Sequence, residues 1–180
     1  MIAHGEEMKF MVFKVVAALS MILSTISLQA LDNIRYYSPD RIFSVLLPSD
    51  WKQTEKENRF AIESSNENVS VNGSAYQKEK SSLQNFANIR WDLIKNSLPF
   101  YKQIKTPYSF DLPGMKAVAA EYAGTWPGDK RLTYYFVVCA QSGDKYISLS
   151  FTMAPEEFSK NIQYYKTLSR SLQFEKEGSP

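Results

Sequence analysis

One stretch of the sequence constrains the fold more than any other, the run Thr-Tyr-Tyr-Phe-Val-Val-Cys-Ala at residues 133–140. Apolar side chains occupy both its odd and its even positions. Since successive side chains of a strand point to opposite faces of a sheet, a strand formed here is apolar on both faces. It must lie inside a sheet with a layer of structure over each face.

Two further strands flank this run. Turn-forming residues separate them from it, Pro127-Gly128-Asp129 on one side and Ser142-Gly143-Asp144 on the other, so an antiparallel meander is predicted over residues 116–126, 130–140 and 145–153. Strict alternation of apolar and polar residues at 146–153 predicts a strand with one buried face. Earlier strands are predicted at residues 42–47, 60–64 and 69–76, and an irregular, aromatic-rich stretch is predicted at residues 101–113.

Two amphipathic helices supply the covering layers. Ser81 with Gln84 three residues later has the spacing of a capping box, and Pro99 ends the helix that follows. Pro155 suits a first helical position and opens the second helix. The predicted apolar stripes are Leu83, Phe86, Ala87, Trp91, Leu93, Ile94 and Leu98 in the first helix, and Phe158, Ile162, Tyr165, Leu168 and Leu172 in the second. The expected fold class is α+β, a central antiparallel sheet sandwiched by helices.

The first thirty residues have the composition of an export signal. Lys9 and Lys14 precede an apolar stretch at residues 15–28, and the small residue Ala30 follows at the expected cleavage site. We expect translation to start at Met8, a signal peptide within residues 1–30 and cleavage after Ala30, with an uncleaved anchor as the alternative. The predicted location is periplasmic or otherwise extracytoplasmic. Leu31 is not the cysteine of a bacterial lipoprotein, so no stable membrane anchor is expected on the remaining domain, residues 31–180.

Several kinds of chemistry are excluded by composition. His4 is the only histidine and falls inside the predicted signal, so the processed chain has no imidazole for catalysis or metal binding. Cys139, the only cysteine, has no disulfide partner and is expected to be a buried, inert thiol. Near balance of 21 basic and 19 acidic residues argues against a nucleic-acid partner. No enzyme activity, metal or cofactor is expected.

Several segments resemble the PsbP-like group, which includes the Ran-binding Mog proteins and the bacterial DcrB proteins. They are Tyr37-Ser38-Pro39, Phe43-Ser44-Val45-Leu46-Leu47-Pro48-Ser49-Asp50-Trp51, the strand Asn68-Val69-Ser70-Val71, the helix from Ser82, Lys145-Tyr146-Ile147-Ser148-Leu149-Ser150, and Ala154-Pro155-Glu156 at the start of the last helix. With the order of the other elements, the resemblance spans residues 36–174. It implies an α/β/α sandwich and an accessory or binding protein rather than an enzyme. The histidines implicated in PsbP contacts and the lipoprotein cysteine of DcrB have no counterpart after residue 30.

The turn that follows the first meander strand is the predicted binding site. Trp126 stands beside Asp129, Lys130 and Arg131, a mixture of aromatic and charged side chains that is enriched where proteins bind one another. The alternative is that Trp126 packs against the edge of the sheet and the charges only keep the turn solvated. We expect a protein partner, and the sequence does not fix the oligomeric state.

Arg90 is a second open question, because it falls within the apolar stripe of the first helix. Either it binds an anion, or its methylene stem packs and its guanidinium reaches the rim of the helix–sheet contact or a carboxylate of the sheet such as Glu121. The function expected for the whole chain is an exported accessory protein that binds or helps assemble an envelope component. A cytosolic DcrB-like chaperone for secreted effectors and an unrecognised hydrolase are the alternatives.

Overall fold

The described part of the chain alternates between strands and two helices. The computed structural model describes residues 32–54, 60–125, 128 and 130–175. Its elements are β1 (Asn33–Tyr37), β2 (Phe43–Pro48), β3 (Lys52–Gln53), β4 (Phe60–Glu63), β5 (Val69–Gln77), α1 (Leu83–Ser97), β6 (Phe100–Ser109), β7 (Lys116–Thr125), β8 (Thr133–Ser142), β9 (Lys145–Met153), α2 (Pro155–Ser169) and β10 (Gln173–Phe174).

Seven of these described strands form an antiparallel sheet in the order β3-β4-β5-β9-β8-β7-β6. A smaller sheet, β1-β2-β10, is also antiparallel. Helix α1 packs on one face of the large sheet, whereas α2 and the smaller sheet pack on the other. The predicted α+β sandwich is confirmed.

Strand β8 is buried on both faces, as its composition predicted. Phe136, Val138 and Ala140 belong to the cluster under α2, while Tyr135 and Val137 belong to the cluster under α1. The neighbouring strand β9 is more buried than its alternation indicated. Its apolar side chains face α2, and Ser148 on its other face is still only 7% exposed.

Helix α1 begins one residue later than the capping-box spacing indicated. The backbone N–H of Asn85 donates to Ser82 Oγ over 3.2 Å, and Gln84 donates to Asn88 instead of returning to the helix start. The predicted reciprocal box is therefore wrong, although a serine does cap the helix. Leu93 is also wrongly placed in the buried stripe, because it is 56% exposed. It lies about 120° around the helix from buried Ala87, outside the contact arc.

Helix α2 starts at Pro155, as predicted. Tyr165 and Leu168 are buried against the large sheet and strand β2, and the rest of the predicted stripe packs around the same core. Lys166 is buried as well, a feature that the stripe did not predict.

The predicted irregular stretch at residues 101–113 is wrong for most of its length. Strand β6 pairs with β7 as an edge strand, although its register shifts between Gln103 and Lys105 and again between Lys105 and Tyr108. Most of its side chains are exposed, so no apolar alternation marks it in the sequence.

Candidate functional site

The predicted binding turn joins β7 to β8. Lys130 and Arg131 are exposed and lie just before β8. Trp126 and Asp129 lie outside the described residues, so the clustering of these four side chains stays a prediction.

A groove of about 550 Å³ lies beside Arg131, and we call it the hairpin groove. It runs between the start of β8 and the loop that joins β9 to α2. Arg131 and Glu156 contribute charged groups to its lining, whereas Leu132 and Pro155 contribute apolar surface. Leu132 is 37% exposed. The groove therefore combines apolar and charged surface next to the predicted binding turn.

A second groove, of about 760 Å³, lies beside α1, and we call it the Arg90 groove. Helix α1 packs over β7, β8 and part of β9, which leaves the same face of β5 and the end of β9 open. The side chains on that open face are small and polar. They include Asn72 and Ser74 from β5, and Ser150 and Thr152 from β9.

Arg90 reaches this groove from α1. Its Cζ atom lies 4.9 Å from the centre of the Tyr76 ring, which places the cation over the aromatic face. Its Nε atom is buried and has no hydrogen-bond partner. Within the described ranges, no carboxylate forms an ion pair with it.

The predicted contact between Arg90 and Glu121 is wrong, because the two residues lie on opposite faces of the sheet. Glu121 alternates in β7 with Ala120 and Tyr122, which face α1, so its own side chain points towards α2. There its Oε1 atom lies 2.8 Å from Lys166 Nζ and accepts a 2.8 Å hydrogen bond from the Tyr108 hydroxyl.

Two titratable groups lie beneath α1 near Arg90. Burial raises the pKa of the Tyr122 phenol, against the opposing effect of the Arg90 charge, and the Tyr122 hydroxyl has no hydrogen-bond partner. Burial also raises the pKa of Cys139 to about 12, although a hydrogen bond with Ser148 and the charge of Arg90 act in the opposite direction. Cys139 is fully buried, so the prediction of a buried thiol is confirmed.

Neither a metal-binding cluster nor a membrane-spanning helix lies within the described residues. There, no three Asp, Glu, Cys or His side chains come close enough together to hold a metal ion. None of the helices found in the same ranges has the length and apolar character required to cross a bilayer.

Comparison with known proteins finds matches among solved structures. No family model matches the chain, and no curated protein matches it. Cyanobacterial PsbP (CyanoP) from Synechocystis sp. PCC 6803 superposes with a TM-score of 0.59 at 11% identity, covering 81% of this chain and 94% of that one.

Two other solved structures are similar to a comparable degree. LpqN of Mycobacterium tuberculosis, described as involved in cell envelope biogenesis, gives a TM-score of 0.58 at 13% identity, covering 86% of this chain and 97% of LpqN. The Ran-binding protein Mog1p of Saccharomyces cerevisiae gives 0.55 at 8% identity, covering 80% and 96%. The chain therefore has the PsbP/Mog-like fold, as the resemblance in its sequence implied.

Proposed function

We propose that this chain is an exported accessory protein that binds another protein of the cell envelope and does not catalyse a reaction. The fold supports a binding role, because Mog1p is described as Ran-binding and LpqN as involved in cell envelope biogenesis. The residues before Leu31 support export, because they have the composition of a signal peptide.

The hairpin groove is the observation that carries the proposal. Apolar surface of exposed Leu132 and of partly exposed Pro155 lies next to the charged groups of Arg131 and Glu156. Protein interfaces commonly combine apolar surface at the centre with polar and charged groups at the rim. The groove also lies beside the turn in which Trp126 and Lys130 were predicted to bind, so the sequence and the described geometry indicate the same end of the sheet.

The groups near the grooves favour binding over turnover. Cys139 is fully buried and its thiol stays protonated at neutral pH, so it is not available as a nucleophile. The only histidine in the sequence, His4, belongs to the predicted signal peptide. Once that peptide is removed, no imidazole remains to activate the hydroxyls of Ser150 and Thr152.

Site-specific crosslinking tests the proposal. A photoreactive amino acid at Leu132 is compared with one at Leu93, which is 56% exposed on α1 and is not part of the hairpin groove. Expressed in the native host, the Leu132 derivative is expected to form one discrete adduct with an envelope protein, and the Leu93 derivative is not.

Charge reversal is the matched control for this adduct. Lys130→Glu combined with Arg131→Glu is expected to abolish the adduct from Leu132 while the variant remains folded. Equal crosslinking from Leu93 and Leu132, or an adduct that survives the charge reversal, would contradict binding at the hairpin groove.

A further inference from the structure

We propose that the Arg90 groove binds a small organic anion whose carboxylate or phosphate group is held by the Arg90 guanidinium. This inference does not depend on the protein partner proposed above, because it rests on Arg90, which does not line the hairpin groove, although Thr152 lines both grooves.

The positive charge of Arg90 is the first observation that supports anion binding in this groove. An arginine guanidinium is a permanent cation in proteins. Arg90 as a whole is only partly buried, but its Nε–H is fully buried, and a buried donor of a charged group is costly when no acceptor or anion compensates it. Yet the described residues offer Arg90 no ion-pair partner, and its buried Nε–H has no acceptor. A bound oxyanion would supply both.

The contact with Tyr76 does not satisfy this requirement. The ring lies 4.9 Å from the Arg90 Cζ atom, a cation–π distance at which the aromatic face attracts the charge. A cation–π contact of this kind contributes about 0.5–2 kcal/mol. It uses the face of the guanidinium, whereas the N–H donors that recognise a carboxylate or phosphate lie in its plane.

The floor of the groove suits a polar ligand. Asn72 is the cross-strand partner of Ser150, and Ser74 and Thr152 lie on the same face of β5 and β9, so hydrogen-bonding side chains from both strands line the groove together. Ligand sites commonly have volumes of about 300–1,000 Å³, and this groove has a volume of about 760 Å³.

One carboxylate, that of Asp40, also lines the groove. It accepts a 2.6 Å hydrogen bond from Ser38 Oγ and a 3.2 Å bond from the Ile42 amide. These hydrogen bonds hold the Asp40 carboxylate in the turn before β2, and it forms no ion pair with Arg90. Its negative charge favours ligands that carry a single anionic group.

Two probes distinguish the source of the anion. Benzoate supplies a carboxylate and phenyl phosphate supplies a phosphate, each on the same aromatic ring. Binding of each to the purified protein is followed by calorimetry and by the melting temperature, which a ligand raises by mass action. We expect at least one probe to bind with a Kd below about 10 mM.

Arg90→Gln is the decisive variant, and Arg170→Gln is its matched control. Arg170 is exposed and also stacks on an aromatic ring, that of Phe110, whose side chain belongs to the core under α2. Arg90→Gln is expected to weaken probe binding at least tenfold and to abolish the shift in melting temperature. The control is expected to bind like the wild type.

Two further variants keep the test decisive if Arg90→Gln does not fold. Arg90→Lys retains the positive charge but cannot form the bidentate hydrogen bonds of a guanidinium. Asn72→Ala removes one polar side chain from the floor of the Arg90 groove. Both are expected to weaken binding severalfold. The proposal is overturned if neither probe binds the wild type below about 10 mM, or if the folded Arg90 variants bind as tightly as the wild type.

Discussion

Lys166 in helix α2 lies 2.8 Å from Glu121 in strand β7, and both side chains are almost completely buried. The Tyr108 hydroxyl of β6 donates to the same Glu121 carboxylate, also over 2.8 Å. One carboxylate thus connects the second helix, an inner strand and the edge strand. Since it joins these three elements within the core, the arrangement has a structural role. It lies on the opposite face of the sheet from the Arg90 groove.

The first prediction concerns this buried pair. Lys166→Met leaves the Glu121 carboxylate buried without its cation, and we expect the free energy of unfolding to fall by about 3 kcal/mol. Glu121→Gln leaves the lysine charge unpaired with a similar effect. In Glu121→Gln/Lys166→Met neither charge remains, so denaturant unfolding should show a loss well below the sum of the single losses. Additive losses would show that the two charges are not coupled.

The second prediction concerns Cys139. Because the thiol is fully buried and burial raises its pKa to about 12, a thiol-specific reagent should not label the folded protein at pH 8. Labelling should become complete when denaturant unfolds the chain. Rapid stoichiometric labelling under native conditions would place the thiol at the surface and contradict the position of β8.

The third prediction concerns alkaline pH. Burial raises the pKa of Tyr122 and, together with a hydrogen bond to Glu157, that of Tyr165. The unfolded chain therefore loses these protons first, near pH 10, and stability falls as the pH rises further. Each tyrosine contributes a slope of about 1.4 kcal/mol per pH unit.

Tyr122→Phe isolates one of these contributions. The Tyr122 hydroxyl has no hydrogen-bond partner, so its removal costs little at neutral pH. The free energy of unfolding, measured by denaturant titration from pH 8 to pH 11, should decline less steeply in the variant. The same slope in both proteins would show that Tyr122 titrates normally in the folded state.

The fourth prediction concerns export. Protein purified from its native host should begin at Leu31, as measured by intact mass and N-terminal sequencing. An intact leader on the native protein would favour the alternative of a cytosolic chaperone or an anchored protein.

The sequence predicted the elements that local patterns determine. The apolar run in β8 predicted a covered inner strand, and Pro155 predicted the start of α2. Strand β6 was missed because its exposed, irregular pairing leaves no alternating pattern. Such an edge strand is held by backbone hydrogen bonds to its neighbour, which depend little on side-chain type.

The candidate sites were less predictable because they depend on which helix covers which face. Arg90 was singled out by its place in an apolar stripe, but its contact is Tyr76 and not Glu121. Polar and apolar residues alternate in β5 and β9, and this pattern places Asn72 and Ser150 on a polar face of their strands. Only the register of the two strands shows that these residues are neighbours.

The central claim, that the protein binds a partner at the hairpin end of the sheet, is tested most directly with Trp126→Ala. Partner capture from the native envelope is compared with that of the wild type, and the melting temperature is measured for both. The account predicts that capture is lost while the melting temperature stays within about 4 °C of the wild type. Undiminished capture by a folded Trp126→Ala protein, or loss of capture only through unfolding, would contradict it.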